Sequence, residues 1–415
     1  MRIGFISTRL SGTDGVSLEV EKWSNVLRRM GHETFFCAGE VSGYAAGGTL
    51  IPKLHFSHPE IMALNPRAFG PGSTTEDGQR VMDDIQLLAN ELRPVLRNFA
   101  QTNQLDVIIT QNAQAIPMNL PLGVALADLI KELSLPTIAH HHDFYWERER
   151  FQINNIGSLL DTVFPPDLPT IQHVVINSIA QTRLKARRGL EASVVPNVYD
   201  FATPPPEIDE FSADFRQSVG LSDDDVFILQ PTRVIQRKGI DMAIELVHRL
   251  NLPKTRLLIT HQAGDEGLAY WHWLQREAEV MDVDLRSVAD LIGLEHGQTN
   301  GQKIYTLWDV YPHADLITYP STYEGFGNAL LEAIYFKRPV VVNRYPVYNA
   351  DIRPLGFEFI ELEGFVSEDA VRQTRDLLAD PERIQVITEK NYTLAQMHFS
   401  LEVLEQKLKS LLGAV

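Results

Sequence analysis

The sequence predicts an α/β fold built from two parallel-sheet domains. Three observations carry that expectation. Short apolar runs of strand length alternate with amphipathic stretches of helical period along the chain. The alternation is interrupted at residues 196–206, where Pro204, Pro205 and Pro206 exclude a helix interior or a central strand and mark a linker. The 415 residues also exceed what one core ordinarily holds and suit two domains of roughly 200 residues each.

In the first half, strands are expected at 3–7, 33–37, 107–110, 137–140 and 173–176. Between the first two, Leu18, Val20, Trp23, Val26, Leu27 and Met30 recur near helical period, and Gly31 ends that helix. Residues 40–78 are rich in Gly, Pro and His and read as loop with local structure rather than a sheet strand. The second half restarts at 226–230, followed by strands at 257–260, 289–292, 316–319 and 340–343. A helix over about 400–412 closes the pattern. Two Rossmann-like domains facing across a cleft are the architecture this implies.

Hydrophobic residues make up 44% and charged residues 22%, the proportions of a soluble globular chain. No apolar run approaches the roughly 18 residues of a membrane span, and no secretory signal segment opens the chain. The net charge of −17 argues against a large nucleic-acid footprint and against docking on an anionic bilayer. The basic run 183–188 reads as a solvated helix face. The one cysteine, Cys37, ends an apolar run and reads as buried packing. A cytoplasmic location fits these features, and the oligomeric state is left open.

The segment with most chemical content runs from Tyr319 to Glu332. Glu324 and Glu332 are separated by seven residues, with Gly325, Phe326, Gly327 and Asn328 behind the first. A strand precedes this turn and a helix over 329–336 follows, with Asn328 placed to cap it. The helix N-terminus offers free amides and a positive dipole end suited to phosphate. One segment can thus supply Glu324 for a sugar, amides for a diphosphate and Glu332 for a ribose. Upstream, Arg233 and Lys238 flank a short loop at the end of a strand, and two cations there suit a diphosphate. The first strand-to-helix connection carries Gly12 and Gly15, which let the backbone approach a phosphate or sugar. It does not match the dinucleotide fingerprint G-x-G-x-x-G.

His140, His141, His142 and Asp143 follow the strand at 137–140. Successive strand residues point to opposite faces, so three adjacent histidines do not readily share one metal ion. Tyr145 and Trp146 can stack on a sugar, and Arg148 and Arg150 can hold an anionic group. Packing and ion pairs are the alternative roles for these four.

The E-x7-E segment, the R-x4-K-G segment at 233–239 and the His-Asp pair resemble retaining glycosyltransferases, most closely family 4, over essentially the whole chain. The resemblance implies a GT-B fold, with residues 1–198 as the acceptor-binding domain joined by a C-terminal helix over 395–415. Residues 199–394 would bind the nucleotide sugar. It further implies a transfer of a hexosyl unit from a nucleoside diphosphate sugar (UDP-, GDP- or ADP-linked) to a hydroxyl of a small polar, anionic or sugar acceptor. No cofactor is required.

His142 would position the sugar, with His140 or His141 as candidates if the register slips. Asp143, Tyr145, Trp146 and Arg148 would meet the acceptor. Gly15 and Val16 would approach the diphosphate, and Arg233 and Lys238 would neutralise it. Asn177, Ser178 and 196–198 are further family-like landmarks, with turn and cap roles equally open. Metal-binding D-x-D segments belong to the other major glycosyltransferase fold. Asp223–Asp225 and Asp282–Asp284 read instead as solvated turns, and no metal is expected. The alternatives are a GT-B epimerase or phosphorylase, and a catalytically silent nucleotide-sugar-binding module.

Overall fold

A computed structural model describes residues 1–12, 14–75, 77–264 and 266–414. The chain divides into two compact units, one formed by Met1–Val198 with Leu401–Val415 and the other by Tyr199–Ser400.

The first unit is built on seven strands: β1 (Arg2–Ile6), β2 (Glu33–Ala38), β3 (Thr49–Leu50), β4 (Val107–Gln111), β5 (Thr137–His141), β6 (Ile171–Val175) and β7 (Ala192–Val194). They pair in parallel in the order β3-β2-β1-β4-β5-β6-β7. The central strands read as continuous apolar runs because helices cover both faces. On one face the helix Gly15–Arg29 buries Val20, Trp23, Val26 and Leu27 together with Leu404 and Leu408 of the helix Leu401–Gly413. On the other face lie the helices Gly78–Thr102 and Leu120–Leu133. The strand order reverses between β1 and β4. In an open parallel sheet the crevice at that reversal, outside the carboxyl ends, is where ligands bind.

The second unit carries a six-stranded parallel sheet: β8 (Val226–Gln230), β9 (Thr255–Ile259), β10 (Asp284–Ser287), then β14 (Leu316–Tyr319), β15 (Val340–Asn343) and β16 (Ile360–Leu362). Its order is β10-β9-β8-β14-β15-β16, so the reversal falls between β8 and β14. A small sheet of β11 (Ile292–Gly293), β12 (Gly297–Thr299) and β13 (Gln302–Thr306) is inserted between β10 and β14. The helix Ile240–Leu250 buries Ile240, Ile244, Leu246 and Leu250 in this unit's core.

Several expectations need correction. The strand expected at 289–292 lies earlier, at β10, and Ala289–Leu291 is a 3-10 turn. An edge strand hydrogen-bonds to one neighbour only, so a polar Asp-Leu-Arg-Ser stretch suffices, and the apolar run after it was the misleading signal. Residues 40–78, read as lacking a sheet strand, contain the two-residue edge strand β3 and a ten-residue helix, Pro59–Ala68. The segment expected as one helix over 395–415 divides at Ser400. The helix Pro381–Phe399 belongs to the second unit and Leu401–Gly413 to the first.

The Asp clusters are not simply solvated turns. Asp284 pairs with Arg256 at 3.0 Å and Arg286 at 2.8 Å, and Asp225 is buried and accepts from the Ser222 amide at 2.7 Å.

Candidate functional site

In the second unit, the loop after β8 carries the cations and the turn after β14 carries the first carboxylate, so the strand-order reversal brings them together. Gly239 permits the approach. Its φ is +62°, and a Cβ there would stand 2.4 Å from the Pro320 carbonyl oxygen. Lys238, 8% exposed, hydrogen-bonds Glu324 Oε1 through its ammonium, and Glu324 is equally buried. Arg237, which sequence reasoning did not single out, holds the other side. Its Nη1 lies 3.4 Å from Glu324 Oε2 and donates to the Tyr323 carbonyl at 3.1 Å. Its position beside Lys238 in an Arg-x3-Arg-Lys run was the available signal. Arg233 is exposed, and its charge acts on Lys238.

Burial is the largest influence on the Glu324 carboxyl and pushes it up. Lys238 and Arg237 outweigh it and hold the group below the usual carboxylate range. Burial likewise draws the Lys238 ammonium below the ordinary lysine value, with Glu324 opposing and Arg237 and Arg233 reinforcing. The result is a dry cluster in which one carboxylate faces two cations.

Behind Glu324, Gly327 at φ +136° occupies the N-cap position of the helix Asn328–Tyr335, with no side-chain cap bond. The capping expected of Asn328 is therefore corrected: Asn328 is the first helical residue. A side chain at Gly327 would place its Cβ 2.5 Å from Tyr345 Oη, which already donates to the Phe326 carbonyl at 2.7 Å. Phe326 is buried, its ring edge-on to Phe399 at 5.2 Å. Gly325 lies in the turn between Glu324 and Phe326. Glu332, half-buried one turn into the helix, accepts from Tyr311 Oη at 3.0 Å. Tyr311 is a second residue that sequence reasoning missed; nothing in the local pattern around it marks it.

In the first unit, the reversal between β1 and β4 gathers the loop after β1, the end of β4 and the end of β5. Asp14 caps the helix Gly15–Arg29, accepting from the Val16 amide at 3.1 Å and the Ser17 amide at 3.2 Å, and pairs with Arg9 at 2.9 Å. Gly15 is the first helical residue, and the amide of Val16 is held by this cap. Thr13, in the same loop, lies outside the described residues.

The three histidines alternate between faces as strand geometry requires. His140 and His142 lie on the Gln111 side, with His140 stacked on Trp23 at 4.3 Å. His141 is on the other, its Nε2 3.0 Å from His173 Nδ1. His142 is half-buried, and burial lowers its imidazole to about 4 despite Asp143 and Asp14. Its backbone amide donates to Asn112 Oδ1 at 3.0 Å, and Asn112 Nδ2 donates to Asp143 Oδ1 at 3.0 Å.

Asp143 and Arg148 form an ion pair, with Arg148 Nε donating at 2.6 Å. Trp146 stacks on Phe144 at 4.4 Å and carries the Arg187 guanidinium over its ring at 5.4 Å. Tyr145 Oη lies 3.4 Å from Asp161. Arg150 lies over the Phe151 ring at 4.6 Å. Asn177 caps the helix Ser178–Arg188 through the Ala180 amide at 2.7 Å. Among the described residues, no group of three or more His, Cys, Asp and Glu side chains is arranged to hold a metal ion. No helix among them is long and apolar enough to cross a membrane.

The two units share their architecture with solved glycosyltransferases. HepE from Anabaena, crystallised with UDP and glucose, matches 100% of both chains with a TM-score of 0.67 at 14% identity. Sucrose-phosphate synthase from Thermosynechococcus elongatus matches 100% of this chain and 98% of its own, with a TM-score of 0.67 at 15% identity. The fold is thus that of a GT-B glycosyltransferase.

The chain belongs to the group 1 glycosyl transferases, whose family model matches residues 211–393. It is 34% identical over 432 residues to a mannosylglucosylglycerate synthase from Thermotoga maritima, covering 98% of this chain and 99% of the relative. A mannosylglucosylglycerate synthase from Petrotoga mobilis is 35% identical over 388 residues, covering 87% and 86%. The enzyme class expected from the E-x7-E and R-x4-K-G segments holds: the protein is a glycosyltransferase.

Proposed function

We propose that the protein transfers a mannosyl unit from a nucleoside diphosphate sugar to a hydroxyl of glucosylglycerate, with retention at the anomeric carbon and without a metal ion. The observation that carries the substrate assignment is the near full-length relation to two mannosylglucosylglycerate synthases. Glucosylglycerate is small, polar and anionic, the acceptor class expected from the aromatic and basic stretch at 145–150.

The chemistry requires a departing diphosphate and a developing oxocarbenium ion to be stabilised together. Preorganised positive charge serves the first need. Arg233 and Lys238 supply it, with Arg237 keeping Glu324 in register and the N-terminus of the helix Asn328–Tyr335 adding a positive dipole end. Glu324 is held between two cations, which suits it to fixing sugar hydroxyls and makes it a poor nucleophile. A front-face substitution follows from that. Glu332, oriented by Tyr311, binds the ribose diol, and His142 positions the transferred sugar. The first unit binds the acceptor and the second the donor.

The test is an assay of purified protein with UDP-, GDP- and ADP-mannose and glucosylglycerate, with exhaustive chelation and product analysis by NMR. The expected product is an axially linked mannoside formed at an unchanged rate after chelation. An equatorial linkage, dependence on added manganese or magnesium, or transfer of glucose alone would each overturn the corresponding part.

A further inference from the structure

The end of β4 places one carboxamide against two imidazoles. Gln111 pairs with His140 in the parallel register of β4 and β5, so the two side chains share a face, and His142 returns to that face two residues later. Gln111 Oε1 lies 3.0 Å from His140 Nδ1 and 3.2 Å from His142 Nε2. With the Gln111 carboxamide in this orientation its carbonyl oxygen, which only accepts, faces both rings, and both ring nitrogens carry the proton. His140 is thereby the Nδ1–H form and His142 the Nε2–H form. The lone pair of neutral His142 is left on Nδ1, for which no hydrogen bond exists among the described residues.

We propose that Gln111 is a positioning residue that holds His142 as the neutral Nε2–H tautomer, so that Nδ1 accepts a hydrogen bond from a hydroxyl of the bound sugar. The proposal rests on the glycosyl-transfer reading for the role of His142, while the tautomer itself does not. Five charged or titratable groups bear on His142: His140 and His141 from β5, Asp143 beyond them, Asp14 from the loop after β1, and Lys22 from the helix Gly15–Arg29. Burial outweighs the two carboxylates and keeps the ring uncharged at neutral pH. An uncharged ring is what an acceptor role requires, since imidazolium has no lone pair.

The test uses the full chain labelled with 15N-histidine. In the wild type the His142 ring should show the Nε2–H pattern from pH 8 to pH 5. Gln111→Leu should remove that preference and lower kcat by about tenfold or more with a smaller change in donor KM, as expected when an orienting partner is lost. Gln111→Glu, nearly isosteric, sets a carboxylate at the same nitrogen and should raise the His142 pKa. Its kcat should be depressed at mildly acidic pH, where the wild type is not, and recover as pH rises and the ring loses its second proton. An Nδ1–H pattern in the wild type would overturn the tautomer. The expected tautomer, with kcat unmoved in both variants, would overturn the role in catalysis. Neither result would touch the mannosyl-transfer reading, which fails only if no mannoside forms in the wild type.

Discussion

Lys238 and Arg233 are expected to differ in what their loss costs. Lys238 is buried against Glu324, so Lys238→Ala leaves a carboxylate in a dry site with Arg237 alone opposite it, and the cost should be a part of the about 3–5 kcal/mol for breaking a buried pair outright. The same change removes a preorganised cation from the leaving group and should lower turnover by about 10²-fold or more. Arg233 is exposed, so Arg233→Ala should lower turnover on a similar scale while leaving the unfolding midpoint nearly unchanged. Turnover and urea denaturation measured on both variants check this. Near-normal rates in both would remove the pair from the diphosphate site. The chemistry of these residues was legible in the sequence because their spacing is local. Arg237 and Tyr311 were not, since each acts on a glutamate that is remote in the chain.

At the scale of the element, the junction of β14 with the loop after β8 depends on a residue without a side chain. Gly239→Ala would combine a left-handed backbone position with a Cβ set 2.4 Å from the Pro320 carbonyl oxygen. Backbone, not a flexible side chain, must then move, so the loss should exceed about 1 kcal/mol. The turn bearing Glu324 would be displaced with it. A shift in the second unit's unfolding transition together with a raised donor KM is the expected outcome, and an unchanged midpoint would contradict it.

Central strands such as β8, β14 and β15 could be read from sequence to the residue, because burial on both faces leaves an unbroken apolar run. β10 and β3 escaped because edge strands carry no such run. The N-cap escaped because Asn328 has the chemistry of a cap, while the chain reverses one residue earlier, at Gly327.

The whole molecule should lose stability as pH falls from 7.5 to 5.5. Burial holds His173 at about 4 and His140 and His141 well below the ordinary value. In the unfolded chain these groups titrate near 6.5. Below that pH the unfolded state binds protons that the folded state refuses, so stability is fully present above 6.5 and falls as pH drops toward the folded values. For each such histidine the loss is about 1.4 kcal/mol per pH unit below 6.5. Urea midpoints at the two pH values measure it, and His141→Asn, which removes one member of the His141–His173 contact, should flatten the dependence. A midpoint that is level or rising on acidification would refute it.

The division at Ser400 also orders the molecule in time. Leu404 and Leu408, which cover the helix Gly15–Arg29, come from the far end of the chain, while the second unit is drawn wholly from Tyr199–Ser400. On the ribosome, the unit that begins first is therefore completed last. The nascent first unit carries an uncovered leucine-sized stripe beside Trp23 throughout the synthesis of the second, which already has every residue it needs to fold.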